Sequence, residues 1–415
     1  MAQIIAEDNN ENQAPPAWAR MSRNGLIAGV LALVGLLFGS IMGLAGGSAS
    51  LGFQAYMYGW IFWMAVTFGC FIFHLLINIT RATWGFPVVR LFEAGAKMLP
   101  FMGILFLPIG INVLMGKASI YPWADYSAVM HDAKMLNRYM FMNPAGWWLR
   151  NLFYFASWSA ITYILSRLSA EQDRTRNAAL IQKRVDMASI SFLYMGVTGT
   201  FAYVDWVMSL DPHWYSTIYA AWFMVGAALT AISFVSIVAT SLRLQGRNPY
   251  LALVTPKVTR DWGNLMLMLC MVWAYFSLSQ FLITWAGNLP EEITYYLARN
   301  NGTTAYVTTF LVMAMFFTPF LCLLSGKTKR YPTLLRSVAI WIFSVRILEA
   351  FWNIVPFYAR NYTTPLLQQV NPAYLWAIIG IGGLWMFGFF RFAQRNVLLV
   401  PIEDLIVGEE IAHAA

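Results

Sequence analysis

Residues 53–79 read FQAYMYGWIFWMAVTFGCFIFHLLINI, 27 positions without a single Asp, Glu, Lys or Arg. A helix needs about 20 mostly apolar residues to cross the hydrocarbon of a bilayer, so this stretch reads as a transmembrane helix. Outward from it, comparable segments lie at roughly 25–44, 88–115, 146–167, 187–209, 214–242, 262–287, 303–325, 333–357 and 372–392. Asn143-Pro144, Asp211-Pro212, Asn288-Leu289-Pro290 and Tyr331-Pro332 punctuate them, as turn-forming residues do between helices. The expected fold is all-α, an integral membrane protein of about ten transmembrane helices spanning 24–392, between polar tails at 1–23 and 393–415.

Composition supports lipid as the solvent. Of the 415 residues, 59% are hydrophobic and 11% charged, against roughly 25% charged in a soluble domain. Trp, Tyr and Phe number 18, 20 and 30, and aromatic rings favour the headgroup level. The formal charge of +8 is a topology signal; no nucleic-acid partner is expected.

With ten spans, alternate loops share a side. One side collects 18 of the 27 Lys and Arg, among them Arg20, Arg81, Arg174, Arg184, Arg260, Lys329 and Arg395. The other holds 6: Lys117, Lys134, Arg138, Arg150, Arg299 and Arg360. Basic loops stay in the cytoplasm, so both termini are expected there. The longest outward loop, about 116–145, contains Tyr121-Pro122-Trp123 and is expected to pack on the outer face.

Cys70, Cys270 and Cys322 are scattered, with no CxxC or CxxCH, and of His74, His131, His213 and His413 only His74 falls within an apolar run. Zinc and iron–sulfur sites need clustered thiols. The chain is therefore expected to carry no redox centre, no catalytic residue and no metal.

A charge at mid-bilayer costs at least about 2.5–3.5 kcal/mol, so each intramembrane ionisable group needs a partner or a purpose. Arg90, Glu93 and Lys97 share one helix face in the inner half, within reach of His74; they read as a proton uptake path or as a self-neutralising clamp. At the outer end, Asp205 is expected beside His213, with which it could exchange protons. Asp211 reads as the cap of the sixth helix, with Pro212 in its first turn. Arg346, Glu349 and Asn353 line one face of the ninth helix. Ser277, Gln280 and Thr284 form a polar stripe on the seventh, the pattern of interhelical hydrogen bonds. Two polar half-paths separated by apolar helix suit a proton conduit and an ordinary bundle alike.

Several segments carry a resemblance. Trp84-Gly85-Phe-Pro-Val-Val-Arg90-Leu-Phe-Glu93, Tyr121-Pro122-Trp123, Leu136-Asn137, Asp205-Trp-Val-Met-Ser209-Leu-Asp211-Pro212-His213-Trp214-Tyr-Ser216-Thr217 and Ser279-Gln280-Phe-Leu-Ile-Thr-Trp285-Ala-Gly-Asn288-Leu-Pro290-Glu291-Glu292 resemble the NrfD/PsrC-like membrane subunits. They are most similar to the second such subunit, the F subunit, of bacterial alternative complex III, a quinol:electron-acceptor oxidoreductase of electron-transport chains.

The resemblance implies two four-helix bundles, helices two to five (about 53–209) and six to nine (about 214–357), with a flanking helix at each end. It implies a bacterial cytoplasmic membrane and a homologous quinol-binding sister subunit. It also implies iron–sulfur and multihaem cytochrome c partners that hold the clusters and c-type haem, with menaquinone as the quinone. The chain itself would support menaquinol oxidation without a cofactor of its own. His74, Glu93 and Lys97 would form an inner proton path, and Asp205, Asp211, His213, Arg346 and Glu349 an outer one. A secondary ion or solute transporter and a purely structural membrane anchor are the competing readings.

Overall fold

The computed structural model describes residues 15, 17–45, 49–246, 250–290, 292–300, 302, 304–358 and 370–395. Every regular element among them is a helix. In chain order these are α1 (Ala17–Ala45), α2 (Ala49–Thr80), α3 (Val89–Ala96), α4 (Leu99–Leu105) and α5 (Leu107–Leu114). Then come α6 (Tyr126–Met130), α7 (Ala133–Arg138), α8 (Pro144–Thr175), α9 (Ala179–Trp206) and α10 (Tyr219–Leu244). The last third holds α11 (Tyr250–Leu253), α12 (Pro256–Gly287), α13 (Thr294–Arg299), α14 (Thr304–Val312), α15 (Thr318–Leu324), α16 (Gly326–Arg330), α17 (Pro332–Ile354) and α18 (Pro372–Arg395).

Among the described residues, nine helical stretches are long and apolar enough to cross a membrane. The protein is a multi-pass membrane protein. Its solvent contact is inverted relative to a soluble fold. On α9, Ile190, Leu193, Val197 and Phe201 recur at helical spacing and are exposed, whereas Ser191, Thr198 and Asp205 are buried. A stripe of that kind is compatible with lipid and not with water.

The expected span at 146–167 is present as the 32-residue α8. It falls short of the apolar composition of the other nine because Arg150 and Asn151 sit in its second turn, among many Trp, Tyr, Ser and Thr. The expected span at 88–115 is a single stretch in three pieces. Pro100 and Pro108 each stand at the first turn of a new helix, since proline cannot donate to the preceding turn. The expected span at 303–325 is likewise α14, a π-helical turn at Met313–Phe317, and α15.

Two boundaries require correction. The N-terminal tail was expected to run to residue 23, but α1 begins at Ala17; Trp18 packs on Phe390 at 5.4 Å and the Ser22 hydroxyl donates to the Phe387 carbonyl. The sixth helix begins at Tyr219, not 214, because 211–218 form an irregular turn. Residues 1–14 and 396–415, and with them most of both expected tails, lie outside the described residues, as do Arg247, Glu291 and Arg360.

α2 is the central post, buried on nearly all sides. It packs against α10, α18, α3, α9 and α1. Trp63 donates its indole N–H to the Ile378 carbonyl at 3.0 Å, and Trp385 returns one to Thr67 Oγ1 at 2.8 Å. The first and last membrane helices meet over glycine. A Cβ on Gly29 would lie 2.7 Å from the Leu384 nitrogen and 2.9 Å from the Gly380 oxygen. Small residues let membrane helices approach to backbone contact, where dispersion replaces the missing hydrophobic drive.

The replacement Gly29→Leu should therefore separate α1 from α18 and cost about 3 kcal/mol, the upper part of the overpacking range, since the obstruction is backbone. Gly35→Ala, whose new methyl would meet the Trp376 ring at an ordinary 3.7 Å, should stay within about 0.5 kcal/mol. Thermal unfolding in a mild detergent measures both; equal behaviour would refute the close-approach account.

Candidate functional site

Three buried clusters of ionisable groups lie within the helices. At the end of α2 that carries His74 and Asn78, Glu93 accepts from two cations. Arg90 Nη1 is 2.6 Å from Oε2 and Lys97 Nζ is 2.6 Å from Oε1. The i,i+3 and i,i+4 spacings put both donors on the Glu93 face. Arg90 also pairs with Asp173 near the end of α8. His74 is 1% exposed and neither ring nitrogen has a hydrogen-bond partner; its charged neighbours are Glu93, Arg184, Lys97 and Arg90. Arg184, expected in a basic loop, is instead buried, with Nε 2.9 Å and Nη2 2.7 Å from Asn78 Oδ1 and Nη1 2.7 Å from Gln172 Oε1.

At the opposite end of α8 and α9, Asp205 is 1% exposed and held on every side. Arg150 grips it with both prongs, Nε to Oδ2 at 2.9 Å and Nη2 to Oδ1 at 2.7 Å. The Tyr154 hydroxyl donates at 3.0 Å. Trp147 Nε1 and the Ser209 hydroxyl both donate to the Asp205 backbone carbonyl. The guanidinium of Arg150 also lies 3.8 Å from the centre of the Phe141 ring. A bidentate guanidinium–carboxylate pair of this kind is geometrically fixed.

This arrangement corrects the expected Asp205–His213 pairing. The imidazole of His213 meets Asp132 instead, Nε2 to Oδ2 at 2.5 Å. Asp211 also departs from its expected role as a helix cap. Its Oδ1 accepts from the His213 backbone N–H at 3.0 Å, closing a local turn, and the first turn of α10 lies beyond it. Sequence reasoning missed Asp132 because it sits 81 residues away on the outward loop. It counted Arg150 as a loop charge, although the residue falls inside the apolar segment at 146–167, one turn after its start.

The outward loop folds down onto these helix ends. The Tyr121 hydroxyl donates to the Trp206 carbonyl at 2.9 Å, Arg138 reaches the Pro212 carbonyl, and Ser216 donates to Gln280 at 2.8 Å.

The third cluster joins α10, α12 and α17. Arg346 pairs with Glu349 one turn along, and its Nε donates to Thr230 at 3.0 Å. Trp273 Nε1 donates to Glu349 Oε1 at 2.8 Å. Gly226 leaves the space that the guanidinium fills. Asn353 accepts from the Tyr295 hydroxyl at 2.9 Å. Arg299, expected as an outer loop charge, is 1% exposed. It donates to the backbone carbonyls of Tyr295, Trp352 and Asn353, beneath the Tyr295 and Phe357 rings. Of the polar stripe on α12, Ser277 turns back to the Trp273 carbonyl, Gln280 takes the Ser216 hydrogen bond, and Thr284 is buried.

Compared with known proteins, the chain matches no protein-family model and none of the curated proteins.

Removing Arg150 strands a buried carboxylate, so Arg150→Met should cost about 3–5 kcal/mol, and the double variant R150M/D205L should recover most of that loss. Unfolding of the single and double variants checks it; a double variant as weak as the single one would show that the pair is not the reason.

The hydrogen bond from His213 holds the Asp132 carboxyl below its ordinary value, against an opposing desolvation effect. A depressed carboxylate contributes stability that is complete above its unfolded value, near pH 4, and is lost as pH falls through the lowered one. Amide exchange of the 126–138 segment should hence rise as the pH is lowered below about pH 4, once corrected for intrinsic rates. The variant Asp132→Asn should show the raised exchange already at neutral pH.

Proposed function

We propose that this chain is a membrane subunit of a quinol:electron-acceptor oxidoreductase of the alternative complex III type. In this reading it organises the assembly and offers paired ionisable groups for proton movement. The observation that carries the reading is the convergence of the segments that resemble that family. Tyr121-Pro122-Trp123, the Asp205–Ser216 stretch and the Ser279-Gln280 segment are far apart in the chain, yet they bind one another at one end of the helices. A tightly folded loop platform on helix ends is a surface on which extramembrane iron–sulfur and multihaem cytochrome c subunits would sit. A homologous quinol-binding subunit would lie alongside in the membrane.

In the same reading α8 is the tenth crossing. Arg184 and Asp205 are 21 residues apart on α9, about 30 Å at 1.5 Å per residue, the thickness of the hydrocarbon. Their partners Gln172 and Arg150 mark the same two depths on α8. Ten crossings put both termini in the cytoplasm of a bacterial cell, on the side richer in Lys and Arg. Helices two to five and six to nine then form two bundles. The inner proton path would run past His74, Glu93 and Lys97, and the outer one past Asp205, Arg346 and Glu349. Asp211 and His213 would stand at the outer surface.

The transporter alternative expects interrupted helices at corresponding places in two repeats. Here the interrupted stretches are Val89–Leu114 and Thr304–Leu324, second in the first set of four and third in the second, which does not favour it.

A tagged chain extracted from its own membranes in mild detergent should bring down partners with c-type haem and iron–sulfur absorption. A monodisperse single polypeptide would overturn the assignment. In vesicles containing the intact complex, Glu93→Gln and the charge-balanced double variant R150Q/D205N should lower the protons moved per electron while haem content stays constant. Unchanged stoichiometry in both would leave the chain a structural anchor.

A further inference from the structure

The outer face of α8 carries groups that lipid cannot satisfy. Leu149, Leu152, Phe153, Tyr163 and Ile164 are exposed on it, and so is Arg167. Depth along α8 follows from its bonds to α9: Arg150 marks the Asp205 end and Gln172 the Arg184 end. Tyr163 lies 13 residues from the first and 9 from the second, about 20 and 14 Å at 1.5 Å per residue. It therefore stands near the middle of the hydrocarbon, and it is 64% exposed. A polar tip can reach the interface only from near a helix end, so this hydroxyl stays at depth.

Arg167, one turn further along the same face, lies five residues short of Gln172, about 8 Å. Helical Cα–Cβ bonds tilt toward the N-terminus, and the N-terminus of α8 is its Arg150 end. The Arg167 stem thus leaves the helix heading toward mid-membrane, away from the nearer surface. That is the wrong direction for snorkelling. Among the described residues, neither the Tyr163 hydroxyl nor the Arg167 guanidinium has a hydrogen-bond or ion-pair partner. Ionisable groups within a span face protein or water and pair with an acceptor. Among the described residues, α8 is also the proposed crossing that is not apolar enough to stand in lipid by composition.

We infer that this face of α8 is covered by a transmembrane helix of a different polypeptide, one that brings a carboxylate or amide oxygen to the depth of Tyr163 and Arg167. A hydroxyl and a guanidinium both donate, so the covering surface has to accept; acyl chains offer no acceptor. A second copy of this chain fits poorly. Two copies inserted in the same direction are related by an axis normal to the bilayer, and a twofold contact then sets equal depths against each other. Arg167 would meet Arg167. The inference rests on α8 crossing the bilayer, a part of the proposed function, and not on which complex the chain serves.

The test puts a photoreactive benzophenone side chain at position 163 of the full chain and irradiates native membranes. A protein adduct is expected. Peptide mass mapping should place it on a transmembrane segment of another chain, within about one turn of an Asp, Glu, Asn or Gln. The same probe at Leu31, an exposed leucine on α1, reports chance collisions. Arg167→Glu should lower the adduct at 163 about tenfold and Arg167→Gln about threefold, whereas Arg167→Lys should keep most of it. Size-exclusion profile and helical content should match the parent in all three. Adducts with lipid alone, an adduct with a differently tagged copy of this chain, a yield no higher than at Leu31, or a yield unchanged in both Arg167→Glu and Arg167→Gln would each overturn the inference. A mapped adduct without haem-bearing partners would keep this interface and remove the oxidoreductase assignment. Haem-bearing partners with only lipid at residue 163 would do the reverse.

Discussion

A guanidinium or carboxylate moved out of water is tolerated only where opposite charge and hydrogen bonds are already in place, and this constraint organises the helices of this protein. Asp205 meets it with Arg150 and Tyr154, Glu93 with Arg90 and Lys97, and Glu349 with Arg346 and Trp273. Two of the three have their ion pair within a single helix by i,i+3 or i,i+4 spacing and reach neighbouring helices through further bonds, Arg90 to Asp173 on α8, Arg346 to Thr230 on α10 and Glu349 to Trp273 on α12. The Arg150–Asp205 pair differs. It joins consecutive antiparallel helices, and with the Arg184–Gln172 bond at the other end it fixes their register. A shift of one residue would rotate one partner by about 100° and break both ends together.

Where no carboxylate is available, aromatic faces and main-chain carbonyls take over. Arg299 is surrounded by the Tyr295 and Phe357 rings and binds three backbone oxygens. Two of those carbonyls, of Trp352 and Asn353, belong to the last turn of α17, where helix acceptors are left unsatisfied. The guanidinium thus serves as a C-terminal cap for α17 while also binding the Tyr295 carbonyl one turn back in its own helix. The cation–π contacts keep it from lipid.

Membrane spans were legible because hydrophobicity along a helix is a local property; 53–79 can be assigned without knowing any neighbour. Clusters closed within one helix were legible for the same reason, as with Arg90, Glu93 and Lys97. What the sequence hid is what depends on distant partners. Asp132 and His213 are 81 positions apart and Arg150 and Asp205 are 55 apart, and no spacing rule links them. Arg184 and Arg299 were misplaced because a loop charge and a buried one look identical when burial is judged only from flanking hydropathy. The α8 helix shows the converse error in a composition test: its charge is neutralised by α9, which a single-segment average cannot register.

The same reasoning connects the third cluster to a cavity lined by Trp273, Tyr295, Glu349 and Trp352. Glu349 is bound from behind by Arg346 and from the side by Trp273, and Trp273 is also a wall of the cavity. The carboxylate is consequently fixed in place before any ligand arrives, and a ligand O–H or N–H approaching it would not have to order it. Preorganisation of this kind lowers the cost of binding. It also separates two roles that the sequence ran together: Arg346 neutralises the membrane interior, whereas Glu349 and Trp273 share their surface with the space beyond. Glu349 lines a cavity of about 570 Å³, large enough for an organic ring, and that position, more than the presence of charge, marks it as a candidate binding group.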